Sequence, residues 1–248
     1  MTATRFINLS PVSNMNPRKL MNLIQKNPKN SGIRVQTNDR QATVYVYDVI
    51  DDWWGIDAES FVREVNGLDV DTLNVRINSP GGDVFTARAM QTALAQHPAH
   101  VIAHVDGLAA SAATFLAMGS NEVRISDGAF FMIHQGWTFM MGNADELREH
   151  AKLLDAIDDS IAKTYASRTG LSYEQVVDMM AAETWMNGQQ AVGHGFADRI
   201  ANGITDTEPQ IEDRVFDLSA YRHPPDSYQP THPAALRAHL ERRLALIA

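Results

Sequence analysis

Residues 73–96 read LNVRINSPGGDVFTARAMQTALAQ, and this stretch decides the fold class. Leu73, Val75 and Ile77 alternate with polar residues, the period of a strand with one face buried. The alternation stops at Asn78-Ser79-Pro80-Gly81-Gly82, a turn rich in residues that break regular structure. From Asp83 to Gln96 the period changes to that of a helix, with Val84, Ala87, Gln91 and Leu94 stacked along it. The segment is one strand–turn–helix unit.

The same unit recurs on either side. Upstream, ATVYVYDVI (42–50) reads as a strand, and AESFVREVNGL (58–68) places Phe61, Val65 and Leu68 on one helical face. Downstream, Val101, Ala103 and Val105 mark a strand from His100 to Asp106, which runs through Gly107 into the small, apolar segment LAASAATFLAMG. Two short strands follow at 122–126 and 129–133. The clearest helix spans Asn143 to Arg168: Asn143 and Glu146 form a capping-box pair, and Gly170 stands where a C-terminal cap belongs. Ser172 with Gln175 opens another. Strands alternating with helices at this spacing imply an α/β fold with a mainly parallel sheet.

The folded domain is expected over residues 41–204. Residues 1–40 read as a polar N-terminal arm or adaptor segment, with a short helix suggested by Leu20, Leu23 and Ile24. Residues 205–248 read as a Pro-rich linker closed by an amphipathic helix carrying Leu236, Leu240, Leu244 and Ile247.

Composition narrows the chemistry. None of the 248 residues is cysteine, which excludes disulfides, thiolate metal sites and a Cys nucleophile. The net charge of −9 argues against a nucleic-acid surface, whose affinity rests on Lys and Arg. The first twenty residues lack the apolar run of a secretory signal. The most apolar window, Leu108 to Met118, is shorter than the roughly 20 residues that span a bilayer. A cytoplasmic protein without membrane or nucleic-acid partners is expected.

Three places carry residues suited to catalysis. At Gly81-Gly82 the backbone can approach a ligand closely and present N–H groups at a helix start, donors suited to an oxyanion or a phosphate. Ser111 lies near the start of an alanine-rich helix, with small neighbours that leave room for an acyl group. The N–H of Ala112 follows it. It does not sit in the G-x-S-x-G elbow. His134 ends the apolar strand FFMI; an imidazole on a rigid strand suits general-base work, and a serine hydroxyl needs such a base. Asp178 and Glu183 are the carboxylates after the long helix that can orient an imidazole. No His pair has the spacing and companions of a metal site. Each residue has a plainer explanation: glycines for a tight turn, a small helical serine, a core histidine, a solvated carboxylate.

Taken together, INSPGG (77–82), DGLAASAA (106–113), MIHQ (132–135), YASRTGLS (165–172) and AVGHGFAD (191–198) resemble the ClpP peptidase family of the ClpP/crotonase fold, in that family's order. The resemblance covers about residues 42–202. It implies stacked ββα units and a serine endopeptidase with Ser111 as nucleophile and His134 as base. Gly82 and Ala112 would supply the oxyanion hole, and Gly81, Val84 and Gln135 would contact substrate. The family's aspartate falls on Glu183. GDVFTARAM, VDGLAASAA, GNADEL and ETWM resemble the phage and prophage branch of head maturation proteases. That branch implies a protein or peptide substrate, capsid or scaffold proteins among them. The family implies a homo-oligomeric ring, heptameric or tetradecameric, no cofactor, and an AAA+ unfoldase as a candidate partner.

Competing readings are a crotonase-fold acyl-CoA enzyme, which has no need of Ser111 with His134, and a Ser–Lys peptidase using Lys152 or Lys163. The last is a ring or scaffold assembly protein with a vestigial site.

Overall fold

The computed structural model describes residues 33–53, 55–201, 216, 218 and 221–225. The suggested helices near residues 20–24 and 236–247 lie outside these. Eight strands form one sheet: β1 (Arg34–Asn38), β2 (Gln41–Val46), β3 (Thr72–Ser79), β4 (His100–Ala110), β5 (Glu122–Ser126), β6 (Phe130–Ile133), β7 (Thr184–Asn187) and β8 (Arg199–Ala201). Among the described residues six helices accompany them: α1 (Ala58–Asn66), α2 (Val84–Gln96), α3 (Ala112–Ala117), α4 (Ala144–Thr169), α5 (Tyr173–Ala181) and α6 (Gly188–Gly193).

The strand order is β1-β2-β3-β4-β5-β8, and β6 pairs with β4 and β7. From β2 onward this path is parallel, with β1 antiparallel on β2 and β7 antiparallel on β6. Parallel strands need crossover connections, and α1, α2 and α3 supply them. The α/β class and parallel sheet expected from the sequence are those observed. Residues 34–38, assigned to the arm by composition, form β1 and pair with β2 as far as Asn38↔Gln41.

Helix boundaries follow the caps. Asp83 accepts from the N–H of Thr86 to start α2, and capping boxes at Asn143/Glu146 and Ser172/Gln175 start α4 and α5. The left-handed Gly170 (φ 74°) ends α4. The core packs Phe61, Val75, Ile77, Met90, Phe115 and Phe131 between sheet and helices.

One difference from the sequence reading positions the site. β4 does not end at Asp106; it passes through Gly107 to Ala110. Its first half pairs with β5, while Leu108–Ala110 pair with Phe130–Met132 of β6. Local propensity at Gly107 favours a stop, but β6 is there to satisfy the backbone groups of the extension. The ends of β4 and β6 thereby lie side by side.

Candidate active site

Ser111 leaves the end of β4 in a conformation rare for a non-glycine residue, φ 54° and ψ −125°. Its N–H donates to the Met132 carbonyl at 2.9 Å. Its carbonyl accepts from the Thr114 hydroxyl at 2.6 Å, and that hydroxyl meets the buried Tyr165 hydroxyl at 2.7 Å. A backbone held on both sides in this way retains a strain of ~1–3 kcal/mol and fixes where the side chain points. Ala112 is the first residue of α3, so its N–H has no intrahelical acceptor.

His134 follows β6 directly. Its Nε2 lies 2.8 Å from Ser111 Oγ. The imidazole is buried, and that burial pushes its pKa down to about 4; the charge of Glu183 works against the shift and Arg222 adds to it. The ring is therefore neutral at neutral pH, with Nε2 able to accept a proton.

The diglycine turn abuts the serine. A Cβ on Gly81 (φ 92°) would stand 2.5 Å from the Ala110 carbonyl oxygen, 2.8 Å from Ser111 Cβ and 2.9 Å from Ala112 N. Only glycine fits there. The flanking N–H groups are engaged, Gly81 with Ser79 Oγ and Asp83 with the Ile50 carbonyl. The N–H of Gly82 between them donates to no described residue. Gly82 and Ala112 thus each hold a spare N–H at the turn that packs on Ser111.

A cavity of about 480 Å³ opens in front of these groups, lined by Gly81, Gly82, Val84, Ser111, Ala112 and His134 on one side. Its remaining wall is largely apolar, with Phe85, Phe115, Trp137, Phe139, Leu153 and Leu154. Gln135, expected to contact substrate, does not line it; its side chain is exposed and its N–H donates to the Met180 carbonyl.

Glu183 is 3% exposed and has φ 52°. It does not hydrogen-bond His134. Its Oε1 accepts from the N–H of His223 at 2.7 Å and from Trp185 Nε1 at 3.2 Å, while Oε2 accepts from the N–H of Arg222 at 2.9 Å. The other carboxylate considered, Asp178, has no place in the cavity lining. Tyr221 completes this side. Its ring stands edge-on to the imidazole, centroids 5.5 Å apart, and its hydroxyl donates to the Pro80 carbonyl. Sequence reasoning missed Tyr221, because a tyrosine in a proline-punctuated tail carries no signal of where the tail lies.

Lys152 and Lys163 are exposed on α4 and paired with Glu149 and Asp159. Neither lines the cavity. No group of three or more metal-ligating side chains exists among the described residues, and no described helix is long and apolar enough to cross a membrane.

A model of the Clp protease family matches residues 58–203. The chain belongs to that family. Among Clp protease relatives, the ATP-dependent Clp protease proteolytic subunit 2 of Corynebacterium diphtheriae is 28% identical over 130 residues, 52% of this chain and 65% of the relative. The subunit of the same name from Treponema denticola is 29% identical over 134 residues, 53% of this chain and 67% of the relative. The match thus spans about two thirds of these relatives' length. A solved structure of a ClpP1 mutant from Listeria monocytogenes aligns with TM-score 0.59 at 23% identity, covering 65% of this chain and 91% of that one. That likeness bears on the fold: the Clp protease architecture is shared.

Proposed function

We propose that this Clp protease family member is a serine endopeptidase in which Ser111 is the nucleophile and His134 the general base. The observation that carries the reading is the 2.8 Å contact between Ser111 Oγ and His134 Nε2 at the mouth of an apolar cavity. As Oγ bonds to a substrate carbonyl carbon, Nε2 takes the hydroxyl proton. The carbonyl oxygen becomes an oxyanion, held by the N–H groups of Gly82 and Ala112. The imidazolium then protonates the amide nitrogen, the C–N bond breaks, and the amine leaves an ester on Ser111. Water attacks that ester while His134 takes its proton, the C–Oγ bond breaks, and the proton returns to Ser111. Glu183 supports the imidazolium by its charge. Apolar side chains flanking the scissile bond suit the wall formed by Phe115, Trp137 and Leu154.

The finer assignment is head maturation in a phage or prophage, with capsid or scaffold protein as substrate and a homo-oligomeric ring as the working form. It is supported by the motifs GDVFTARAM, VDGLAASAA, GNADEL and ETWM. Turnover of an unstructured peptide by the wild type, and its loss by orders of magnitude in Ser111→Ala and His134→Ala, tests the chemistry. Mapping cut bonds in a co-expressed capsid protein tests the assignment. An uncut capsid protein beside active peptidase removes head maturation and leaves a general Clp-type proteolytic subunit.

A further inference from the structure

A few residues of the Pro-rich tail meet several parts of the candidate site. Leu218 is 1% exposed and packs, with Phe216, against Leu108, Ala110 and Met132. Those three belong to the strand ends that carry Ser111 and His134. Tyr221 stacks edge-on against both His134 and Trp185, and its hydroxyl holds the Pro80 carbonyl just before the diglycine turn. The next two N–H groups bind both oxygens of Glu183.

A buried carboxylate needs donors to replace the water it has lost. Glu183 has three, and the tail supplies two of them. Without the tail, Glu183 keeps one of its three donors, that of Trp185, and its carboxylate is no longer held in place. The geometry points to the tail as a working part of the site: Tyr221 and the N–H groups of Arg222 and His223 are positioning groups that act through His134, Pro80 and Glu183. The inference rests on the Ser111–His134 reading. A blocking strap is a different arrangement. With the tail docked, Ser111 and His134 are hydrogen-bonded, and the cavity before them is open with Tyr221 as one wall.

The test uses full-length variants that separate a peptide N–H from a side chain. His223→Ala keeps the N–H given to Glu183; His223→Pro removes it. Tyr221→Phe keeps the ring on His134; Tyr221→Ala removes it. The readouts are the rate at which a fluorophosphonate modifies Ser111, and kcat and KM on a peptide. His223→Ala is expected within about twofold of wild type. His223→Pro and Tyr221→Ala are expected to lose about ten- to a hundredfold in labelling rate and kcat, with KM little changed. Tyr221→Phe is expected to recover most of the Tyr221→Ala loss, remaining about twofold below wild type for want of one hydrogen bond. It also decides the matter should His223→Pro not fold.

Equal rates for Ala and Pro at 223 together with a wild-type rate for Tyr221→Ala overturn the inference, as does faster labelling in Tyr221→Ala, which marks the tail as a block. Ser111→Ala run alongside separates the two levels. Should that variant still turn over peptide, the Ser–His reading has failed; should it be dead while the tail variants are unaffected, only the tail's role has.

Discussion

The backbone N–H of Ser111 donates to the carbonyl of Met132 at 2.9 Å, and His134 stands two residues beyond. This bond continues the pairing of Ala110 with Met132, so the register of two parallel strands sets the distance between hydroxyl and imidazole. Neither side chain is placed by a flexible loop. Sites mounted on strands in this way hold their geometry better than sites mounted on loops.

Burial of His134 sets the pH response. Its imidazole is pushed down to about 4, so it is charged only well below the usual 6.5. The acid limb of kcat/KM, which reports the free enzyme's base, is expected near pH 4 rather than 6.5. In the unfolded chain the same group takes up a proton near 6.5, so between 6.5 and about 4 the unfolded state binds more protons. Stability therefore falls as pH drops through that window. Denaturant midpoints and Ser111 labelling rates measured from pH 8 to 4 check both; an acid limb at 6.5 in fully folded protein contradicts the assignment.

Glu183→Gln removes the charge that raises the His134 pKa, so its acid limb should move below that of the wild type. Turnover should fall by about tenfold, because the charge acts on the imidazolium through space and not through a hydrogen bond. Glu183→Ala also strands the N–H groups of Arg222 and His223, at a cost of ~1–3 kcal/mol in a urea unfolding series. An active, equally stable Glu183→Ala contradicts both roles.

Gly81→Ala places a methyl 2.5 Å from the Ala110 oxygen at a φ of 92°. The turn must move away from Ser111, with a stability loss of ~1–3 kcal/mol and at least a tenfold slower labelling of Ser111. Gly128, with nothing within 4 Å of its Cβ direction, is the control: Gly128→Ala should leave both unchanged.

Much of this was legible in the sequence because period and spacing report it. The alternation at Leu73, Val75 and Ile77, the turn at Gly81-Gly82 and the caps at Asn143 and Ser172 are local signals, and each stands where the local chemistry puts it. The run of β4 past Gly107 was not legible. It depends on β6, some twenty residues later, to pair the extra backbone. The Ser111–His134 pairing follows from that non-local register, so motif resemblance indicated it and spacing alone did not. Glu183 shows the limit most clearly. The sequence ranked it as a carboxylate of the right region, but which donors it meets depends on a tail whose prolines hide where Tyr221 comes to rest.

Whether Ser111 is an activated nucleophile is decided by mapping a fluorophosphonate adduct by peptide mass spectrometry. One adduct is expected, on Ser111, absent from the heat-unfolded protein and strongly slowed in His134→Ala. No adduct on folded wild-type protein, or one formed equally well without the His134 imidazole, would contradict it.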